Sequence, residues 1–152
     1  MKKFLLFALL AVFSVQAMAE RLPNKKKTCL SIGILNGGGG ALGADFEFLC
    51  ARRLSLQVGV GGISAGAAIN YHFKDYINSS MVSIAYWQQG FGDLWLQSLV
   101  GPMYTYRAPR YFQCQAGLGV RVAGGDVLDN FSDAIKGIPI CPMFSIGMYF
   151  PL

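Results

Sequence analysis

The sequence predicts an all-β protein folded as an eight-stranded antiparallel up-and-down transmembrane β-barrel. Three observations lead to this fold class. Apolar residues alternate with polar or small ones through residues 111–122, and successive side chains of a strand point to opposite faces, so this stretch has one apolar face. The same alternation recurs along the chain, behind an apolar N-terminal leader. No segment after the leader has the periodicity of a long helix or the length of an apolar span.

The leader has the charged, apolar, small-residue order of a secretory signal peptide. Lys2 and Lys3 precede an apolar run, and small residues follow it, with cleavage predicted after Ala19. A short N-terminal membrane anchor is the alternative, although the run is short for a span. The predicted organisation is a signal peptide at residues 1–19, a flexible N-terminal segment at 20–28 and an outer-membrane β-barrel at 29–152.

Eight segments with strand character account for the barrel. The sixth has apolar residues on both faces and contains Pro102, which cannot donate to a ladder, so we expect a bulge near Gly101 and Pro102. An even strand number, mostly short alternate connections and one long connection at residues 123–139 fit a transmembrane barrel. The predicted strands are residues 29–36, 42–51, 54–61, 63–73, 81–87, 94–107, 111–122 and 141–150.

Closure of the sheet follows from backbone chemistry. No water reaches the bilayer core, so each backbone N–H and C=O needs a partner there, and a closed sheet has no unpaired edge. Aromatic residues near strand ends are then expected to form girdles at the lipid headgroups. These residues are Tyr71, Tyr86, Trp87, Tyr104, Tyr106, Tyr111 and Tyr149.

Three segments give the chain a family resemblance. Gly59-Val-Gly61, Gly117-Leu-Gly-Val120 and the closing residues 144–150 resemble the small eight-stranded outer-membrane barrels of the OmpA-type membrane-domain and porin-like superfamily. The resemblance spans the whole mature chain and implies a bacterial outer-membrane location. It also implies outer-membrane lipids and the barrel-assembly machinery as partners. In that superfamily a terminal aromatic residue often serves assembly, whereas this chain ends with Leu152.

The polar face of the strands predicts a hydrogen-bonded network inside the barrel. A narrow interior cannot hold isolated charges, because burying them unpaired is costly. A structural network is the first interpretation, and a path for water or ions is the alternative. The predicted members are Asp45, Glu47, Asn70, Arg107, Gln113, Gln115 and Arg121.

His72, the single histidine, is the one candidate for catalysis. A lipid-modifying barrel enzyme needs a nucleophile, a base and an orienting group together. His72 is followed by Ser79 and Ser80, but no recognisable Ser/His/acid spacing is present. The sequence therefore predicts no catalytic residue, and we expect a non-enzymatic protein.

The four cysteines leave two uses open. Cys29 lies eight residues before the glycine run at residues 37–40 and Cys50 ten residues after it, so they could face each other and form a disulfide. Cysteines acting as small apolar side chains are the alternative. No CxxC pair is present, and we expect neither a metal site nor a cofactor.

The long connection is the predicted binding surface. It offers both charge and apolar side chains, through Asp126, Asp129, Phe131 and Asp133, and a short helix is expected at residues 127–136. Loss of Lys2 and Lys3 with the signal peptide lowers the formal net charge from +5 to +3, which is small and scattered, so we expect no nucleic-acid partner. The leading functional hypothesis is a structural or surface-binding outer-membrane barrel. The alternatives are an outer-membrane lipid hydrolase or acyltransferase, and a periplasmic barrel that binds a small ligand.

Overall fold

The structure, a computed structural model, describes residues 26–108, 111–124 and 139–152. Eight strands form a closed antiparallel barrel in which each strand pairs with its sequence neighbour and β8 returns to β1, which confirms the predicted all-β, eight-stranded up-and-down barrel. Within these residues no helix has the length and apolar character needed to cross a membrane. The strands are β1 Thr28–Ile34, β2 Leu42–Leu49, β3 Leu54–Gly61, β4 Ser64–His72, β5 Met81–Gln89, β6 Gln97–Arg107, β7 Phe112–Gly124 and β8 Ile140–Pro151.

Several predictions fall outside the described residues. The signal peptide and most of the N-terminal segment lie there, as does nearly all of the long connection with its expected helix. We call the end of the barrel that holds the start of β1 and the end of β8 the terminal end. The opposite end, from which the long connection leaves, is the distal end.

The period-two alternation predicted from the sequence is confirmed on the strands. On β4, for example, Ile69 is 57% exposed on the outer wall, while its neighbour Asn70 is fully buried inside. Successive side chains of a strand point to opposite faces of the sheet. The predominantly apolar set of alternate residues on each strand therefore faces outward, and the predominantly polar or small set faces inward. The outer wall is consequently apolar and the inner face carries the charged groups.

The bulge in β6 lies closer to the distal end than the sequence predicted. The register against β7 shifts between Ser98 and Leu99, and both side chains are buried inside the barrel. The inward set changes there from even to odd positions, which explains the mixed pattern of this strand. The prediction at Gly101 and Pro102 is wrong, because Pro102 faces outward in regular register with Ile84 of β5.

Two of the seven predicted girdle residues lie inside the barrel. Trp87 is 6% exposed and follows the outward-facing Tyr86, while Tyr149 is 5% exposed and donates its hydroxyl to the carbonyl oxygen of Ala108 at 3.0 Å. The sequence predicts these two residues in the girdle because they lie near strand ends. Whether a side chain points outward or inward depends instead on the alternation along its strand. The exposed members are Tyr71, Tyr86, Tyr104, Tyr106 and Tyr111, of which all but Tyr86 lie near the terminal end.

The β1–β2 connection folds into the distal half of the lumen. Its four-residue helical turn, Asn36–Gly39, which we call the glycine turn, contacts several strands from within. Gly38 has φ +86°, and a Cβ there would overlap the backbone of Ala65, so only glycine fits. Asp45 Oδ1 accepts from the Gly37 N–H at 3.1 Å, and Ser64 donates to the Gly37 carbonyl oxygen at 2.6 Å.

The β4–β5 connection, residues 73–80, covers the lumen at the terminal end. Ile77 is 1% exposed and packs against Cys29, Leu49 and Tyr149. The chain therefore fills both ends of its own barrel, with backbone at the distal end and an apolar side chain at the terminal end.

Candidate functional site: a polar cluster under the β4–β5 connection

Two groups of buried side chains with different chemistry follow each other along the barrel axis. Toward the distal end apolar side chains pack together, next to the buried polar residues Asp45, Ser64 and Ser98. We call this group the apolar cluster: Ala85, Trp87, Leu99, Met103 and Met143. Toward the terminal end a group of polar and charged side chains is buried, next to the apolar side chains that pack on Ile77. We call that group the polar cluster: Ser31, Glu47, Ser55, Asn70, His72, Ser79, Arg107 and Gln113.

Glu47 of β2 is the centre of the polar cluster. Its Oε2 accepts from Arg107 at 2.7 Å, and both side chains are 1% exposed. Its Oε1 lies 2.8 Å from His72 Nε2 and accepts from Asn70 Nδ2 at 3.1 Å, and the Ser55 hydroxyl also donates to it. The Arg107 guanidinium and the hydrogen-bond donors together replace the water that this carboxylate loses on burial. A carboxylate buried without such partners would be strongly destabilising.

Arg107 joins the barrel wall to the connection above it. Its Nε donates to Gln113 Oε1 at 3.1 Å, and its Nη1 donates to the carbonyl oxygen of Ile77. The guanidinium carbon lies 5.0 Å from the centre of the Tyr149 ring, a distance suited to a cation–π contact. One planar side chain thus fixes strands β2, β6, β7 and β8 and residues 73–80 relative to each other.

His72 lies in a row with Ser79 and Glu47. Its Nδ1 is 3.1 Å from Ser79 Oγ, its Nε2 is 2.8 Å from Glu47 Oε1, and Ser55 Oγ lies 3.0 Å from the same Nε2. The sequence did not predict this Ser/His/acid row, because Glu47 precedes His72 by 25 residues on another strand. The available signal was that both residues are inward-facing and lie near the terminal ends of their strands.

The seven predicted lumen residues do not all lie in the polar cluster. Glu47, Asn70, Arg107 and Gln113 meet in the polar cluster. Asp45 supports the glycine turn, and with Gln115 it lines an internal cavity of about 10 Å³, close to the size of one water molecule. Arg121 lies near the distal end, where its Nε donates to Gln97 Oε1 at 2.8 Å. The four predicted loop residues Asp126, Asp129, Phe131 and Asp133 lie outside the described part of the chain.

All four cysteines are free. The β1–β2 register places Cys29 opposite Glu47, so Cys50 lies three positions beyond the partner that a disulfide would need. The nearly symmetrical placement about the glycine run was misleading, because Cys50 lies two residues farther from the run than Cys29 and the hairpin is centred on Gly38. Burial raises the pKa of the Cys50 thiol, whose Sγ donates to the Leu54 carbonyl oxygen at 3.2 Å. Within the described ranges, no group of three or more His, Cys, Asp or Glu residues could hold a metal ion.

A groove runs beside the β4–β5 connection at the terminal end. It has a volume of about 540 Å³, and its walls combine aromatic rings with hydroxyl, amide and cationic groups. We call it the rim groove. It is lined by Phe73, Lys74, Tyr76, Asn78, Ser79, Ser80, Tyr104, Arg107 and Tyr149.

The polar cluster is compatible with two roles. In a structural role it closes and stiffens the terminal end of the barrel. In a catalytic role the Ser79–His72–Glu47 row supplies a nucleophile, a base and an orienting carboxylate. Comparison of the chain with protein-family models, curated proteins and solved structures found no match in any of the three. The function is therefore inferred from the sequence pattern and the geometry.

Proposed function

We propose that the protein is a non-enzymatic outer-membrane β-barrel with a structural or surface-binding role. The observation that carries the proposal is the inverted distribution of polarity, with an apolar outer wall around a charged interior. Monomeric soluble proteins rarely expose a contiguous apolar patch of more than a few hundred Å², whereas lipid favours such a wall. Every strand contributes an exposed apolar or aromatic residue: Ile32, Phe46, Val58, Ile69, Ile84, Tyr104, Leu118 and Ile146.

Three further features support this location. The leader has the pattern of a secretory signal, and the strand number is even, as in bacterial single-chain barrels. Exposed tyrosines gather near the terminal end, where amphipathic rings suit a headgroup layer. The segments that resemble the OmpA-type and porin-like superfamily point in the same direction.

A periplasmic barrel for a small apolar ligand fits the described residues less well. Such a barrel needs an apolar cavity, but the apolar cluster fills the distal half of the lumen with Trp87, Leu99, Met103 and Met143. The glycine turn occupies the space beside it. The apolar surface of this protein lies on the outside of the wall instead.

A lipid hydrolase is the second candidate function, and the Ser79–His72–Glu47 row beside the rim groove favours it. The surroundings argue for a structural role. Ser79 Oγ lies 3.3 Å from the carbonyl oxygens of both Lys74 and Ser80 and accepts from the Lys74 backbone N–H at 3.4 Å, so its bonds are satisfied within its own connection. The His72 ring is fully buried, and Arg107 already pairs with Glu47.

Fractionation combined with heat-modifiable gel mobility tests the proposed location. We expect the protein in the outer-membrane fraction, with a mobility shift on boiling because a folded barrel resists detergent. Recovery in the soluble periplasmic fraction would contradict the proposal.

Arginine substitutions on the outer wall test lipid exposure directly. Ile69→Arg, in the middle of β4, should cost about 2–4 kcal/mol of unfolding free energy in lipid, because a charge would face the bilayer midplane. Leu42→Arg is the matched control at a strand end, where about 0–1 kcal/mol is expected. Similar small losses at both positions would indicate a wall that faces water.

A surface-binding role requires the long connection to face the outside of the cell. An epitope tag inserted after Asn130 should be labelled on intact cells without loss of barrel assembly. Labelling that appears only after the outer membrane is broken would place this connection in the periplasm and remove the binding surface.

A further inference from the structure

We propose that the rim groove binds the headgroup phosphate of an anionic phospholipid. This inference rests on the proposed membrane location and adds a defined lipid site to it. Three observations carry it: the mixed lining of the groove, the positive charge of the terminal end, and the continuity of the groove with the aromatic residues of the outer wall.

The groove leads from the outer wall toward the polar cluster. On the wall side, the rings of Phe73 and Tyr104 lie 6.1 Å apart and are both exposed. The groove is also lined by the exposed Asn78 and by Ser80, and the Ser80 hydroxyl accepts from the Arg107 backbone N–H at 3.2 Å. An accepting hydroxyl still has its own hydrogen to donate, so amide and hydroxyl donors face a space next to an apolar surface.

Exposed cations lie at the terminal end, in the groove and on the connection beside it. Lys74 lines it directly, with its Nζ 5.7 Å from the centre of the Tyr76 ring, and Arg52 and Arg53 belong to the neighbouring β2–β3 connection. The acidic residue of this region is Asp75, whose Oδ2 lies 3.9 Å from Arg52 Nη2. Basic residues at a membrane surface attract anionic lipid headgroups, and the attraction fades within a Debye length.

The distal end lacks this excess of positive charge in the part of the chain that the structure describes. There the ionisable side chains of Asp93 and Arg121 carry opposite charges. The charge asymmetry therefore distinguishes the two membrane leaflets and assigns the anionic lipid to the leaflet at the terminal end.

The aromatic pair determines which source of phosphate fits best. A free phosphate ion would leave Phe73 and Tyr104 without a contact, whereas a phospholipid would lay its acyl chains on the apolar wall below them. Aromatic rings at headgroup depth commonly mark this level of a bilayer. The phosphate can then meet Lys74 while the chains stay in lipid.

Native mass spectrometry of the folded barrel, released from zwitterionic detergent micelles, tests the site. Phosphatidylglycerol and phosphatidylcholine with identical acyl chains are added separately, and inorganic phosphate is added as a competitor. We expect a retained phosphatidylglycerol adduct, weaker phosphatidylcholine retention and no displacement by low concentrations of inorganic phosphate. Equal retention of both lipids, or displacement by phosphate, would overturn the proposal.

Matched charge removals locate the lipid. Lys74→Gln should weaken phosphatidylglycerol retention about fivefold, the effect of roughly one basic residue at a membrane surface. Lys26→Gln removes the same charge at the same end but outside the rim groove, so it should have the smaller effect. Equal losses would indicate general attraction and no site.

The outcome is separable from that of the proposed function. The heat-dependent mobility shift confirms for each variant that the barrel is folded. A barrel that fractionates with the outer membrane and shifts on boiling, yet shows no lipid preference, would refute only the headgroup site. A soluble barrel would refute the membrane location, whatever lipid it retained.

Discussion

The two halves of the lumen are stabilised in different ways although the same strands form both. In the distal half, Trp87, Leu99, Met103 and Met143 gain stability by leaving water and by close packing. In the terminal half, Glu47 and Arg107 lose their hydration and recover it only through specific partners. The apolar half should therefore respond to lost volume, and the polar half to lost pairing.

The difference also concerns position. The polar half lies under residues 73–80, whose Ile77 carbonyl and Ser79 hydroxyl belong to its hydrogen bonds. The apolar half is bordered by the glycine turn, whose Gly39 lies against the Trp87 ring. Hydrogen bonds to a charged cluster therefore hold residues 73–80, whereas the glycine turn combines close packing with the hydrogen bonds of Asp45 and Ser64 to Gly37.

The largest expected effect comes from breaking the buried ion pair. Glu47→Leu should lower the unfolding free energy by about 3–5 kcal/mol, because Arg107 would stay buried without its counter-ion. Adding Arg107→Leu should restore much of the loss. Urea unfolding in lipid vesicles measures the unfolding free energy of each variant. If the losses of the two single variants simply add in the double variant, the polar half does not depend on pairing.

Met143→Ala tests the opposite expectation in the apolar half. Removing this buried side chain should cost about 2–5 kcal/mol, through lost transfer energy and the cavity left behind. Here a second truncation, Met103→Ala, should deepen the loss in the same unfolding experiment. Recovery by the second change would show that the halves do not differ as described.

Gly38→Ala asks whether the glycine turn belongs to the packed distal half. The left-handed backbone alone should cost about 1–2 kcal/mol, and the overlap with Ala65 adds to this. Gly62→Ala is the matched control, because no atom lies within 4 Å of its added Cβ. Comparable stability of the two variants would mean that the turn does not need to stay inside.

His72→Ala and Ser79→Ala have the smallest expected effect on lipid chemistry. We expect unchanged lipid composition in cells, and a stability loss of about 1–3 kcal/mol for His72→Ala because buried partners lose a hydrogen bond. Lipid mass spectrometry and urea unfolding measure the two quantities. Loss of a lipid-modifying activity in both variants would indicate that the polar half is an active site.

Alternation allowed the strands and their faces to be predicted, but not the height of each side chain along the axis. Asp45 and Glu47 share the inner face, yet two residues of strand separate them by about 7 Å. Asp45 therefore supports the glycine turn while Glu47 meets Arg107. Likewise, the sequence identifies a glycine run at residues 37–40. Glycine is compatible with many backbone conformations, so the run alone does not predict that the connection folds into the lumen.

The inward fold of the glycine turn links two sets of positions that are distant in the sequence. The turn fits because the facing wall residues Gly59, Gly61 and Gly66 leave room for its backbone. Enlarging a wall residue would expel the turn, and shortening the turn would leave a void beside the wall. In evolutionary terms the two sets should change together, so a homologue with a shorter first connection should carry larger side chains at these three wall positions.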